Sequence, residues 1–369
     1  MSQIIFSGAG AINNLEKVLK EQNSKKFLLV RDSSFPFLSI KDDIERVSVP
    51  CAVFDGFTPN PLYEDVCKGV DIFEKEGCDF IVAVGGGSAI DVAKCIKLYC
   101  KMDKSVNYLE QEPFDSEIPL LAIPTTAGTG SESTRFAVIY FEGKKQSVSH
   151  LSIIPSFAIL ESSVLKTLPL YQKKCTMLDA LCQGIESYWS VNSTDESKEY
   201  SRQAIRLIME NKDEYLDGCS QSSAEKIMLG ANFSGKAINI TQTTAAHAMS
   251  YKITSLYKAP HGHAVAVCLP KVFGFMLENT ARCSDNRGEA YLVKTFNEIA
   301  NLMGADTPQD AINMFEKMLL DMEIINPKSE NREDELDILA SSVNPVRLKN
   351  NPVLPTEGEV RRMYEKIIL

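Results

Sequence analysis

The segment Phe80–Val84 (FIVAV) constrains this chain most, because it runs directly into Gly85-Gly86-Gly87-Ser88 and then Ala89-Ile90-Asp91-Val92-Ala93-Lys94. A short apolar run ended by glycines reads as a strand buried on both faces. Ser88–Tyr99 has helical periodicity, so the glycines form a strand-to-helix turn. Glycine adopts positive φ and lets the backbone approach a ligand with no Cβ in the way. The N–H groups that open the next helix point at that ligand, and the helix dipole favours an anion there. A dinucleotide pyrophosphate meets both conditions. An empty tight turn uses the same residues, and this is not the GxGxxG pattern, so the motif alone leaves both readings standing.

The alternation recurs around it. Lys26–Val30 (KFLLV), Cys51–Phe54 (CAVF) and Leu120–Ile123 (LLAI) read as further buried strands, and Pro61–Glu76 as a helix. Strand–helix alternation predicts an α/β domain with a parallel sheet covered on both faces. Ile139–Tyr140 and Phe157–Leu160 are expected to close that domain as a hairpin-like segment. From Glu161 the β-rich runs stop, and Tyr171–Ser190, Asp195–Glu210, Ser223–Thr241 and Pro308–Met322 carry helical spacing. A chain of 369 residues is too long for one ordinary core. The expected division is an α/β nucleotide-binding domain over 1–160 and an all-α domain over 161–369. Polar Asn326–Asp334 is expected as a surface loop.

Composition narrows the class. With 44% apolar and 24% charged residues the chain is globular in type. No apolar window is long enough to span a membrane, and MSQIIFSGAG lacks the regions of a secretory signal. Ten scattered cysteines without a CxxC pair suit reduced thiols, so the expected location is cytoplasmic. A net charge of -10 argues against a nucleic-acid partner.

Two further features point to a site. Ile123–Glu132 (IPTTAGTGSE) is a second glycine- and hydroxyl-rich loop at a strand's carboxyl end, where open α/β sheets bind ligands. Asp32 ends the strand KFLLVRD; its carboxylate suits a ribose diol and repels a 2′-phosphate, although Asp32-Ser33-Ser34 is also good helix-capping chemistry. Of the four histidines, His247, His261 and His263 fall within 17 residues, which suits ligands better than core filling. Asp179 and Gln183 share one face of a helix, and Asp179 suits a divalent ion beside imidazole, its alternative being an intrahelical cap or salt bridge.

The motifs FSGAGAINNL at 6–15, FTPNP at 57–61, GGGSAIDVAK at 85–94, PTTAGTGSE at 124–132, LDALCQGIESY at 178–188 and HAMSYKITSLYKAPHG at 247–262 resemble the iron-containing (group III metal-dependent) alcohol dehydrogenase family over essentially the whole chain. The resemblance implies a Rossmann-like N-terminal domain and an all-α C-terminal domain, the dehydroquinate synthase-like architecture. By matching position it implies cofactor contacts at Asp32, Asn60, Gly86, Gly87, Ser88, Thr125, Thr126, Thr129 and Lys145. It implies metal positions at Asp179, Gln183, His247 and His261. Two positions depart from the family: Gln183 replaces a histidine, and Tyr251 replaces a second histidine four residues after His247. An amide oxygen is a weaker ligand than imidazole for iron or zinc. His263 is then expected as a proton relay or an additional ligand.

The expected activity is NAD(P)H-dependent reduction of a small aldehyde to a primary alcohol, with iron or zinc polarising the carbonyl. Polar Asn239–Thr244, with Arg135, Lys144 and Lys145, suits an anionic tail. GSESTRFAVIY and KAPHGHAVAVCLP resemble the branch that reduces phosphonoacetaldehyde to 2-hydroxyethylphosphonate. The alternatives are a general butanol- or lactaldehyde-type dehydrogenase and a dehydroquinate synthase-like lyase. An exposed edge strand near the N-terminus permits a homodimer.

Overall fold

The computed structural model describes residues 3–369. Its strands are β1 (Ile4–Ser7), β2 (Phe27–Arg31), β3 (Cys51–Phe54), β4 (Phe80–Gly85), β5 (Leu120–Pro124), β6 (Phe136–Phe141), β7 (Lys144–Ser149) and β8 (Phe157–Leu160). Six of them form one parallel sheet in the order β1-β8-β5-β4-β2-β3, while β6 and β7 form an antiparallel hairpin. Central β4 and β5 are buried at every residue, which is why they read as unbroken apolar runs. The edge strand β3 is half exposed and correspondingly weaker in pattern.

One sequence expectation is corrected here. Phe157–Leu160 does not close a hairpin; it lies inside the parallel sheet between β1 and β5. Four apolar residues carry no information about pairing partners, and the hairpin's second strand is instead the polar run Lys144–Ser149. Ile139 and Tyr140 do belong to the hairpin.

Four helices, α1 (Asn14–Glu21), α2 (Lys41–Glu45), α3 (Tyr63–Lys75) and α4 (Gly87–Tyr99), connect β1 to β5. Val66, Val70 and Phe73 put one face of α3 into the core. Gly69 lets α3 approach α4, since a Cβ there would fall 2.4 Å from Ile96. The chain runs outward from β2 to β3 and then crosses back to β4. The topological switch point therefore lies between β2 and β4, where open α/β sheets carry their ligands.

The chain divides into two compact units. One comprises the chain up to Pro169 together with Asp217–Gly235, and the other Leu170–Leu216 with Lys236–Leu369. A boundary after residue 160 places Asp217–Gly235 in the helical half, whereas the structure groups it with the sheet. The reason is local packing of α7 (Gln221–Thr241). A Cβ on Gly130 would fall 2.4 Å from the Gly235 Cα, and Asn232 Nδ2 donates to Glu132 Oε1 (2.9 Å) and Ser133 Oγ (2.7 Å).

The second unit is helical. With the end of α7 it contains α5 (Leu170–Trp189), α6 (Asp195–Asp217), α8 (Ala245–Tyr257), α9 (His261–Glu278), α10 (Glu289–Met303), α11 (Pro308–Asp321), α12 (Arg332–Ser341), α13 (Pro345–Leu348) and α14 (Glu357–Glu365). Its helix ends follow capping chemistry: Thr307 accepts from Asp310 N, Thr356 and Glu359 form a capping box, and Gly304 ends α10 in the left-handed region. The core is built around Trp189, whose ring lies 5.2 Å from Phe273 and 6.4 Å from Phe296. The loop expected to Asp334 ends at Asn331, because Glu333, Asp334 and Glu335 favour the first turn of α12. No helix among the described residues is long and apolar enough to cross a membrane.

Candidate metal centre and nucleotide cradle

In the α/β unit, Asp32 follows β2 and the Gly85–Ser88 turn follows β4, on the two sides of the switch point. Asp32 Oδ2 accepts from Gly86 N (3.0 Å), and Oδ1 accepts from Ser34 N (2.9 Å). Gly85 has φ +154°, and a Cβ there would lie 2.4 Å from Asp32 Oδ2. Gly87 is tight for another reason: its Cβ would lie 2.9 Å from Thr129 Cγ2. Thr125 N donates to Gly85 O (3.0 Å), so the two loops close against each other. Gly86, Gly87, Ser88, Thr125, Thr126 and Thr129 are thus gathered at one sheet edge. The N-cap of α4 is Gly86, with no side-chain cap, so the first-turn N–H groups are left to a ligand or water.

Asn60 and Lys145 lie on the two sides of the contact between the FTPNP turn and the hairpin. Asn60 adopts φ +59° in the FTPNP turn, Tyr140 N donates to Pro61 O (2.8 Å), and Tyr140 stands opposite Lys145. Two residues of the motif GGGSAIDVAK organise this edge without having been singled out from sequence. Asp91 accepts from Ser131 Oγ (2.6 Å) and Val138 N (2.9 Å). Lys94 donates to Ser131 Oγ (3.0 Å), Thr134 Oγ1 (3.0 Å) and Phe136 O (2.7 Å). Burial pulls the Lys94 ammonium down to about 8, against the attraction of Asp91 and Glu132.

The helical unit holds the second cluster. Asp179, Gln183 and Glu186 recur on one buried face of α5, His247 lies in the first turn of α8, and His261 opens α9. His247 Nε2 lies 3.3 Å and His261 Nε2 3.8 Å from the same Asp179 Oδ1. Among the described residues this trio is the one group of three acidic, histidine or cysteine side chains placed to hold an ion, its ligand atoms lying within 4.8 Å of one another. His247 Nε2 is buried and makes no hydrogen bond. Two imidazole nitrogens and a carboxylate oxygen around a common point suit a first-row divalent metal. The residues present therefore fit such an ion. His261 is 37% exposed along its side chain, against 4% for His247 and Asp179, so the cluster opens on the His261 side.

Gln183 does not turn its amide nitrogen away from the cluster. Its Nε2 donates to Asp179 Oδ2 (3.2 Å). Glu186, which belongs to the LDALCQGIESY motif, is fully buried. Its Oε1 accepts from Thr244 N (3.1 Å), Thr244 Oγ1 (2.7 Å), Ala246 N (3.0 Å) and His247 N (3.3 Å), and its Oε2 meets His247 Nδ1. Its spacing, seven residues after Asp179, was the available signal. Burial works against a charge on His247, but the carboxylates of Glu186 and Asp179 outweigh it and lift the imidazole to about 10.

His263 stands apart from this trio. Its Nδ1 meets Tyr171 Oη (2.8 Å) and its Nε2 meets Ile325 O (2.8 Å). A carbonyl only accepts, so Nε2 carries the proton and Nδ1 accepts from the tyrosine. Burial lowers the His263 imidazole against that carbonyl contact. Tyr251 stacks on His261, with ring centroids 5.8 Å apart and planes at 9°. In the polar run before His247, the Thr241 and Thr244 hydroxyls are engaged internally, with Ser187 and with Glu186 and Trp189.

A parallel sheet with a glycine turn at its switch point and a buried Asp/His/His trio suit a metal-dependent, nucleotide-linked oxidoreductase. The model of iron-containing alcohol dehydrogenases matches residues 2–162, and that of the C-terminal part of Fe-containing alcohol dehydrogenases matches residues 174–368. The chain belongs to the iron-containing alcohol dehydrogenase family and is an enzyme of that family. It is 27% identical to the NAD-dependent methanol dehydrogenase of Bacillus methanolicus, covering 98% of this chain and 97% of that protein. It is 31% identical to the 1,3-propanediol dehydrogenase of Citrobacter freundii over 82% of this chain and 78% of that one. Its fold matches the crystal structure of sulfoacetaldehyde reductase from Bifidobacterium kashiwanohense in complex with NAD+ (TM-score 0.89, 24% identity, 99% of this chain and 96% of that chain).

Proposed function

We propose that this chain interconverts a small aldehyde and its primary alcohol with NAD(H), using a divalent metal held by Asp179, His247 and His261. The observation that carries the reading is the convergence of both Nε2 atoms on Asp179 Oδ1 in a chain of this family. When bound, a divalent ion there supplies Lewis-acid chemistry at a carbonyl oxygen and the nicotinamide supplies hydride. The residues around them bind and orient. The N–H groups opening α4 and the Thr125–Thr129 loop receive the pyrophosphate, and Asp32 receives the ribose diol. The negative charge of Asp32 disfavours a 2′-phosphate, which supports NADH over NADPH. Asn60 and Lys145 are assigned to the cofactor's rim. Gln183 is assigned to steadying Asp179, and a bound ion would be held by Asp179, His247 and His261. Because both His263 nitrogens are engaged, the alcohol's proton is assigned to water on the open His261 side.

We assign phosphonoacetaldehyde as the aldehyde. Its support is the cationic set Arg135, Lys144 and Lys145, with Lys144 exposed at the start of β7 and Arg135 lying over Phe136 (5.1 Å). Steady-state rates on phosphonoacetaldehyde and butanal test this: the phosphonate is expected to give the higher kcat/KM, and a preference for butanal removes the anionic tail. Treatment with a strong chelator tests the metal. Activity is expected to fall and to return with Fe2+ or Zn2+, and full activity without detectable metal overturns the reading.

A further inference from the structure

The metal trio needs one condition that its three ligands cannot supply. His247 presents Nε2 to Asp179, and an imidazole can give that nitrogen's lone pair to an ion only if its remaining proton sits on Nδ1. Some group must hold that proton. The one facing Nδ1 is Glu186 Oε2.

We infer that Glu186 is the positioning residue of the metal centre, fixing both the tautomer and the place of His247; this rests on the metal reading proposed above. Both of its oxygens are committed, and to different tasks. Oε1 takes four donors from the start of α8, namely the backbone N–H groups of Thr244, Ala246 and His247 and the Thr244 hydroxyl. Trp189 Nε1 in turn donates to that hydroxyl (2.9 Å), which fixes the threonine rotamer. Oε2 is left for the imidazole. One buried carboxylate therefore clamps the helix turn that carries His247 and sets which ring nitrogen is free. A carboxylate behind a ligating histidine raises the ligand's basicity as well as orienting it.

The same geometry supplies a test that separates this role from simple helix capping. In Glu186→Gln, four donors converge on the Oε1 position, so the amide oxygen must stay there and the NH2 group must occupy the Oε2 position. The cap survives, but Nδ1 now faces a donor and must accept. The proton moves to Nε2, where it blocks the metal. Apo wild type and Glu186→Gln are titrated with Zn2+ and Co2+ in competition with a chromophoric chelator, and their folding is checked by thermal melting. The expected result is a melting temperature close to wild type for the metal-free variant and an affinity 10- to 100-fold lower, in the range typical of lost outer-sphere partners. Equal affinity in a folded variant overturns the inference. Failure of wild type itself to bind either ion overturns the metal reading instead. If Glu186→Gln does not fold, 15N-histidine spectra of Zn2+-loaded wild type decide. A proton on His247 Nδ1 supports the inference, and an unprotonated Nδ1 overturns it.

Discussion

Gly262 and Cys175 touch so closely that a Cβ on the glycine would fall 1.9 Å from the cysteine's carbonyl oxygen and 2.9 Å from the Asp179 Cβ. The first turn of α9 lies directly on α5 at this point, and that contact is what sets His261 above Asp179. The glycine is needed for proximity, since its φ is not in the left-handed region.

Gly262→Ala must therefore push the helices apart. Overpacking of this kind costs about 1–3 kcal/mol, and here the displacement falls on a ligand. The variant is expected to melt earlier than wild type and to lose metal affinity by at least tenfold, measured by chelator competition. Unchanged affinity would show that His261 does not depend on this contact.

Gln183 offers a change in the opposite direction. Replacing its amide by imidazole adds a stronger ligand beside Asp179, so Gln183→His is expected to bind Zn2+ and Fe2+ more tightly than wild type. Gln183→Leu removes the donor to Asp179 Oδ2 and is expected to bind about tenfold more weakly. Competition titrations of both variants check the pair of signs together.

At the sheet edge, Asp32 accepts from Gly86 N and is the residue proposed to receive the ribose. Asp32→Ser shortens the side chain and removes its charge. NADH affinity, followed by nicotinamide fluorescence, is expected to fall about tenfold, as for loss of a charge-assisted hydrogen bond. NADPH is expected to lose much less, so the preference between the two narrows or reverses.

Lys94 gives a pH signature for the α/β unit. Burial lowers its folded-state value to about 8 from an ordinary 10.5. Between those values the unfolded chain binds more protons than the folded one, so this group's contribution to stability rises with pH across that window. Below about 8 the full cost of the buried cation is present. Urea unfolding at pH 7.5, 9 and 10 is expected to show wild type gaining stability relative to Lys94→Met as pH rises. A constant difference would remove the shift.

Much of this was legible from local sequence. Buried strands β2, β4 and β5 announced themselves because both faces are covered, and the glycine turn followed from the backbone it must allow. His247, His261 and Asp179 stood out by residue type and spacing. The placement of β8 was not legible, since pairing in a parallel sheet is set by crossover connections and four apolar residues fit any interior slot. Asp217–Gly235 groups with the sheet, which local pattern does not show, because helical periodicity reports which face is buried but not which unit buries it. The part of Glu186 was hidden for a similar reason: all its donors, Nδ1 included, lie in a turn 58 to 61 residues away in sequence.

The glycine turn FIVAVGGGS, from which the nucleotide cradle grows, was determined by sequence alone, through steric freedom and strand burial that need only neighbouring residues. The arrangement of the metal trio was decided by tertiary structure. Asp179, His247 and His261 come from three helices, and contacts between those helices, among them the ones at Gly262 and Glu186, bring their ligand atoms within 4.8 Å of one another. Distances between separate helices depend on packing, which no local pattern encodes.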